Sequence, residues 1–170
     1  IICDIRKDYK ILINAEVSQV DQIREYLLPI KFSKVKADIK KNIITKKKAI
    51  EHLNSGGILI TFPSGEVATS SFIFNEVGER EWKPMIGYII NKTHADIVPV
   101  RFFGKNSLFF HTIGFINNNL RRMLFIRELI NKQNKKFNIS IGTKIISLQK
   151  EKLSNKKIVD KLRSIVLKIN

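Results

Sequence analysis

Phe62-Pro63-Ser64-Gly65-Glu66 is the segment whose residue types and spacing best suit chemistry. It closes an apolar run, Ile58-Leu59-Ile60, that two glycines precede. A short β-prone run bounded by breakers reads as a buried strand, and strands covered on both faces belong to parallel sheets of α/β domains. Ligands of such domains bind beyond the carboxyl ends of the strands. A turn at that place would offer the Glu66 carboxylate, with Gly65 allowing close approach to the backbone. The same pattern equally describes a plain strand exit with a solvated Glu66. Ser64 is not a hydrolase nucleophile, because the turn lacks the first glycine of a Gly-x-Ser-x-Gly elbow. Gly56-Gly57 precedes its strand, so it cannot cradle phosphate as a strand-to-helix loop does. His94 and Asp96 match no metal-ligand spacing, and no metal is expected.

The surrounding elements must position that turn. Residues 1–8 read as the tail of a helix and 9–14 as a strand. Val20, Ile23 and Leu27 recur at helical spacing until Pro29 stops them. The clearest helix is 35–54, with Ile39, Ile43, Ile50 and Leu53 as its expected inward stripe and Gly56 closing it. Lys36, Lys40, Lys41, Lys47 and Lys48 fill its other face, which is either solvated or laid against phosphates. The loop 67–80, carrying Phe72 and Phe74, is long enough for a lid. Pro84 suits the first turn of a helix running through Ile90. Asp96-Ile97-Val98-Pro99-Val100-Arg101-Phe102 reads as a second buried strand, and 137–141 alternates as another. Ser154 is placed to cap a C-terminal helix within 150–170, with Ile158, Leu162, Ile165, Val166 and Ile169 inward. The predicted fold is α/β: a mixed, mainly parallel sheet flanked by helices, in a single domain covering 1–170.

Composition narrows the partners. The chain has 170 residues, 44% hydrophobic, with only 8 Gly and 4 Pro, which excludes disordered and collagen-like classes. One cysteine, Cys3, provides neither a disulfide framework nor a thiolate zinc site. No apolar run approaches the ~20 residues that span a bilayer. Lys and Arg number 31 against 15 acidic residues, a net charge of +16. Such an excess favours anionic partners, namely lipid headgroups, an acidic carrier protein or nucleic acid, although a Lys-, Ile- and Asn-rich chain is also what an AT-rich genome produces. In 106–132, Phe109, Phe110 and Phe115 stand near Arg121, Arg122 and Arg127. That mixture suits an interfacial membrane surface and equally suits helices packing their rings inward.

The order Phe62-Pro63-Ser64-Gly65, Trp82-Lys83, Val98-Pro99-Val100 resembles the glycerolipid, or lysophospholipid, acyltransferase family. The stretch from Gly104-Lys105-Asn106-Ser107 through Arg127-Glu128-Leu129-Ile130 to Ile139-Ser140-Ile141-Gly142 resembles its hemolysin-like branch, which acylates lyso-ornithine lipid or similar acceptors. The resemblance implies transfer of a fatty acyl group from an acyl-carrier-protein or coenzyme-A thioester to a lysolipid hydroxyl, with no cofactor. It implies substrate binding by Phe62, Pro63, Ser64, Gly65, Glu66 and Lys83, at the cytoplasmic face of a membrane with an anionic surface as partner and no specific nucleic acid.

Two departures qualify it. The family's general base is a His followed five positions later by an Asp that orients it. The residues five positions after His52, His94 and His111 are Gly57, Pro99 and Ile116. No catalytic residue is therefore expected in these 170. The pair is expected upstream of Ile1, which would make the chain an N-terminally truncated fragment, inactive alone. Phosphate-recognising members carry Glu within the Phe-Pro block and Arg after its Gly, where this chain has Ser64 and Val67-Ala68-Thr69. Glu66 after the Gly fits the amino-lipid branch better. The alternative is a non-enzymatic basic module that binds nucleic acid or an anionic membrane.

Overall fold

A computed structural model describes residues 2–15, 21–33, 35–65, 81–104, 131–132 and 135–170. A short helix α1 (Ile2–Ile5) leads into strand β1 (Tyr9–Asn14). A 3-10 segment, Asp21–Tyr26, then delivers the chain to β2 (Leu27–Ile30). Helix α2 (Lys36–Asn54) crosses back to β3 (Ile58–Thr61). Beyond it lie α3 (Met85–Lys92), β4 (Val100–Phe103), β5 (Asn138–Ile141) and α4 (Asn155–Lys168).

The architecture is α/β. β1 lies between β2 and β3 in a parallel three-stranded sheet, order β2-β1-β3. Leu12 pairs with Leu28 and with Thr61, so the three strands run in step towards one carboxyl edge. β4 and β5 form a separate antiparallel pair, Val100 opposite Ile141. Period-two alternation sends Leu12, Leu28 and Ile30 to one sheet face. There they join Ala49 of α2, Trp82, Ile86 and Ile89 around α3, and Ile158, Val159 and Leu162 of α4 in one buried cluster.

Helix α4 begins as its sequence predicts, with the Ser154 hydroxyl accepting the Lys157 amide. It packs on α3 at Gly87, where an added Cβ would stand 2.7 Å from the Asn155 carbonyl carbon and 2.8 Å from its Cα. Asn91 Nδ2 donates nearby to the Leu153 carbonyl (3.2 Å) and to Asn155 Oδ1 (2.9 Å). Arg101 Nη1 donates to the carbonyls of Leu167 (2.8 Å) and Ile169 (2.7 Å), tying β4 to the end of α4.

Four expectations are corrected. Leu27 belongs to a strand rather than to a helix end. Two apolar neighbours, Pro29 and the pull of parallel pairing with β1 outweigh the short helical periodicity before it. The stripe expected on α2 holds only in its second half: Ile50 and Leu53 pack on the core, whereas Ile39 and Ile43 face out and Asp38, Thr45 and Ala49 are buried. Polar groups turn inward because β2 has backbone atoms to satisfy. Thr45 Oγ1 donates to the Pro29 carbonyl (3.0 Å), Asn42 Nδ2 donates to the Lys31 carbonyl (2.8 Å), and Asn42 Oδ1 accepts the Lys31 amide (3.0 Å). The segment around Val98 is not a buried strand throughout. Ile97 makes one bridge to Ile145, the ladder begins at Val100, and Val98 before it and Phe102 within it are exposed. β3 itself is half-buried rather than buried, as befits an outer position in the strand order.

Candidate functional site

The carboxyl edge of the parallel sheet brings together segments distant in sequence. After β3, the turn Phe62 to Gly65 closes with the Gly65 amide donating to the Phe62 carbonyl (2.9 Å). Gly65 has φ +67, a left-handed conformation in which a side chain would be strained. The Lys83 amide donates to the Pro63 carbonyl at 2.9 Å, so the lead-in to α3 is stitched onto the turn. Ser64 is buried, Pro63 and Lys83 are half-buried, and Phe62 is exposed. Glu66 lies outside the described residues, as do 67–80, where a lid was expected, the aromatic and arginine stretch 106–130, and His111.

The loop after β2 supplies a residue that the sequence reading missed. Phe32 lays its ring against Gly65, where an added Cβ would stand 2.6 Å from Phe32 Cζ. The ammonium of Lys83 sits 5.9 Å from the centroid of the same ring, within cation–π range. The space opened by the absent Gly65 side chain is thus taken by an aromatic ring. Phe32 is held there by its neighbours. Asn42 fixes both backbone groups of Lys31, and the Ser33 hydroxyl accepts the Val35 amide at 3.1 Å. Hydrogen bonding from Ser33, reinforced by Lys31, holds the Asp38 carboxyl below the ordinary carboxylate range, and Lys31 Nζ lies 3.3 Å from its Oδ2. An exposed aromatic right after a strand is a weak signal, and with β2 read as helix it carried none.

Chemically, the edge offers a half-exposed aromatic platform, one ammonium beside it and a turn with positive backbone torsion. That set suits an amphiphile with an apolar body and a polar or anionic head. Among the described residues it contains no histidine to act as a general base. His52 serves the opposite end of β3, where its Nε2–H donates to the Ile58 carbonyl (3.1 Å) and its ring fills the space beside Gly57. His94 is exposed in the connection between α3 and Ile97. Both positions follow from the sequence, in which each histidine precedes a strand.

No protein-family profile matches the chain, and no solved structure matches it. A curated protein does. The lyso-glycine lipid O-acyltransferase of Phocaeicola vulgatus is 29% identical over 93 residues, which are 51% of this chain and 33% of that protein. The similarity to a lysolipid O-acyltransferase is distant and partial, and the chain matches about a third of that relative's length. Among the described residues, no helix is long and apolar enough to cross a membrane.

Proposed function

We propose that this chain is the acceptor-binding part of an O-acyltransferase that moves a fatty acyl group from a thioester to a lysolipid hydroxyl. The partial similarity to the lyso-glycine lipid enzyme carries this reading. The convergence of Phe32, the turn 62–65 and Lys83 at a sheet's carboxyl edge supports it. Residues 1–170 act as one acyltransferase-like domain of the hemolysin-like branch, held peripherally at the cytoplasmic face of the membrane.

In this reading the acceptor hydroxyl gives its proton to an imidazole, and its oxygen attacks the thioester carbonyl. The tetrahedral intermediate then expels the thiolate, which takes the proton from the imidazolium. No acyl-enzyme forms. Such base catalysis is worth on the order of a hundred- to ten-thousand-fold. The imidazole and its orienting carboxylate come from sequence outside these 170 residues, because none of the three histidines has an Asp five positions on. Phe32 and Phe62 receive the apolar part of the acceptor, and Glu66 pairs with the amine or hydroxyl of its head. Lys83 meets a carboxylate of the acceptor or of an acidic carrier protein that delivers the acyl group.

The test uses the complete parent protein, acyl-carrier-protein or coenzyme-A thioester, and lysolipid acceptors with amino-acid heads. Glu66→Ala and Lys83→Gln are expected to lower acyl transfer at least tenfold with the fold intact, and the isolated 170 residues to show none. If the complete protein transfers no acyl group and the chain binds duplex DNA tightly with sequence preference, the basic-module reading replaces this one.

A further inference from the structure

The outward face of α2 combines two features that a purely solvated helix does not need. Val35, Ile39 and Ile43 are 59%, 45% and 54% exposed, and Ile44 beside them is 57% exposed. Residues four apart lie in one line along a helix, so the first three form a continuous aliphatic row starting at the N-cap residue Val35. Lys36, Lys40 and Lys47 form the adjacent row, and Lys41 and Lys48 lie beyond Ile44 on the exposed side. Of the two acidic residues of α2, Asp38 is buried against Lys31 and Glu51 offsets one member of the row, Lys47, so the face stays strongly basic.

We propose that this face of α2 is a docking surface for an anionic bilayer, with the helix lying in the plane of the headgroups. It deepens the acyltransferase reading and rests on it for its purpose. An anionic surface supplies the charge complement of the lysines, and the aliphatic row identifies that surface as lipid rather than nucleic acid. Lysine stems are long enough to carry their ammonium groups up to the headgroup phosphates while the isoleucines enter the acyl boundary. The helix has 19 residues and is about 28 Å long, so the row touches several lipids at once. Its N-terminal end is continuous with the candidate site. Val35 follows Phe32 by three residues, Phe32 packs on Gly65, and Phe62 is exposed at the same edge. A lysolipid leaving the bilayer along this row reaches the platform without crossing water.

The 170-residue chain is sedimented with vesicles of phosphatidylglycerol or of phosphatidylcholine across a salt series. Binding is expected to phosphatidylglycerol, weakening as salt rises. The triple change Lys36→Gln, Lys40→Gln, Lys48→Gln is expected to weaken it on the order of 100-fold, at about fivefold per lysine. Ile39→Ser with Ile43→Ser, both on exposed positions that leave the core unchanged, is expected to weaken it about tenfold or more. Vesicle binding that neither set of changes reduces overturns the proposal. So does failure of the wild-type chain to bind, or a dimer that Ile39→Ser and Ile43→Ser dissolve, which would give the face to a second copy. Acyl transfer to a monomeric short-chain lysolipid, measured on the complete protein, separates the two claims. Its absence with vesicle binding intact refutes the functional reading and leaves the surface standing.

Discussion

Replacing Gly65 by Ala tests the contact on which the candidate site is built. Two costs are expected. The φ of +67 forces an L-residue into the left-handed region, about 1–2 kcal/mol. The new Cβ would also stand 2.6 Å from Phe32 Cζ, so the ring must retreat by about 1 Å to reach ordinary carbon contact. Phe32 is half-exposed and can move, so this second cost is the loss of its packing, about 1 kcal/mol, rather than a global clash. Together they give about 2–3 kcal/mol, or roughly 4–12 °C in Tm for a chain of this size. Gly65→Asn separates the two, since Asn tolerates the left-handed region yet still carries a Cβ. In a double-mutant cycle by urea denaturation, Phe32→Ala should remove the ring-dependent part of the Gly65→Ala cost, leaving a coupling of about 1 kcal/mol. The complete protein carrying Gly65→Ala should lose acyl transfer, because Lys83 loses the ring it sits over. Additivity within about 0.3 kcal/mol would show that Phe32 does not rest on Gly65 in solution. Outright unfolding of Gly65→Ala would mean that the turn is part of the core.

Three further outcomes are expected. Gly87→Ala should destabilise the chain by about 1–3 kcal/mol in urea titration, although alanine is the better helix former, because the backbone of α4 at Asn155 cannot yield; stabilisation would refute the close approach. Arg101→Ala should release the last turn of α4, at about 1 kcal/mol, seen as faster amide exchange near Val166 and Ile169 with the rest of the chain protected. The Asp38 carboxyl has a lowered folded-state pKa, so its contribution is complete at neutral pH and is lost as pH falls below about 4. The wild type should therefore lose stability in that window relative to Asp38→Asn; parallel pH profiles would remove the Ser33 and Lys31 interactions from the account.

How much was legible depended on what each residue had to satisfy. Two of the three parallel strands, β1 and β3, were readable because Ile11-Leu12-Ile13 and Ile58-Leu59-Ile60 are apolar β-prone runs, and the cap of α4 because Ser154 acts within its own turn. The extent of α2 was readable, and so was the inward placement of Ile50 and Leu53, but the orientation of its first half was not. Apolar periodicity assumes that the inward face wants only apolar contacts, whereas Asn42 and Thr45 are turned inward by backbone groups on β2. Phe32 was hidden for a related reason: its partner, Gly65, is thirty-three positions away and has no side chain to leave a pattern.

Those same two α2 side chains have a consequence for how the chain behaves among copies of itself. Among the described residues β2 ends the parallel sheet, and an end strand is ordinarily a template on which another chain can pair. Here the outward backbone groups at its C-terminal end are already taken. Pro29 has no amide hydrogen and its carbonyl is bound by Thr45, while the amide and the carbonyl of Lys31 are both held by the carboxamide of Asn42. A side chain thus supplies the donor and acceptor that a neighbouring strand would have offered, and the ladder stops growing on that side. Sheet-to-sheet association from this margin would first have to peel a whole helix away, which makes α2 a guard against aggregation in a chain rich in β-prone isoleucine.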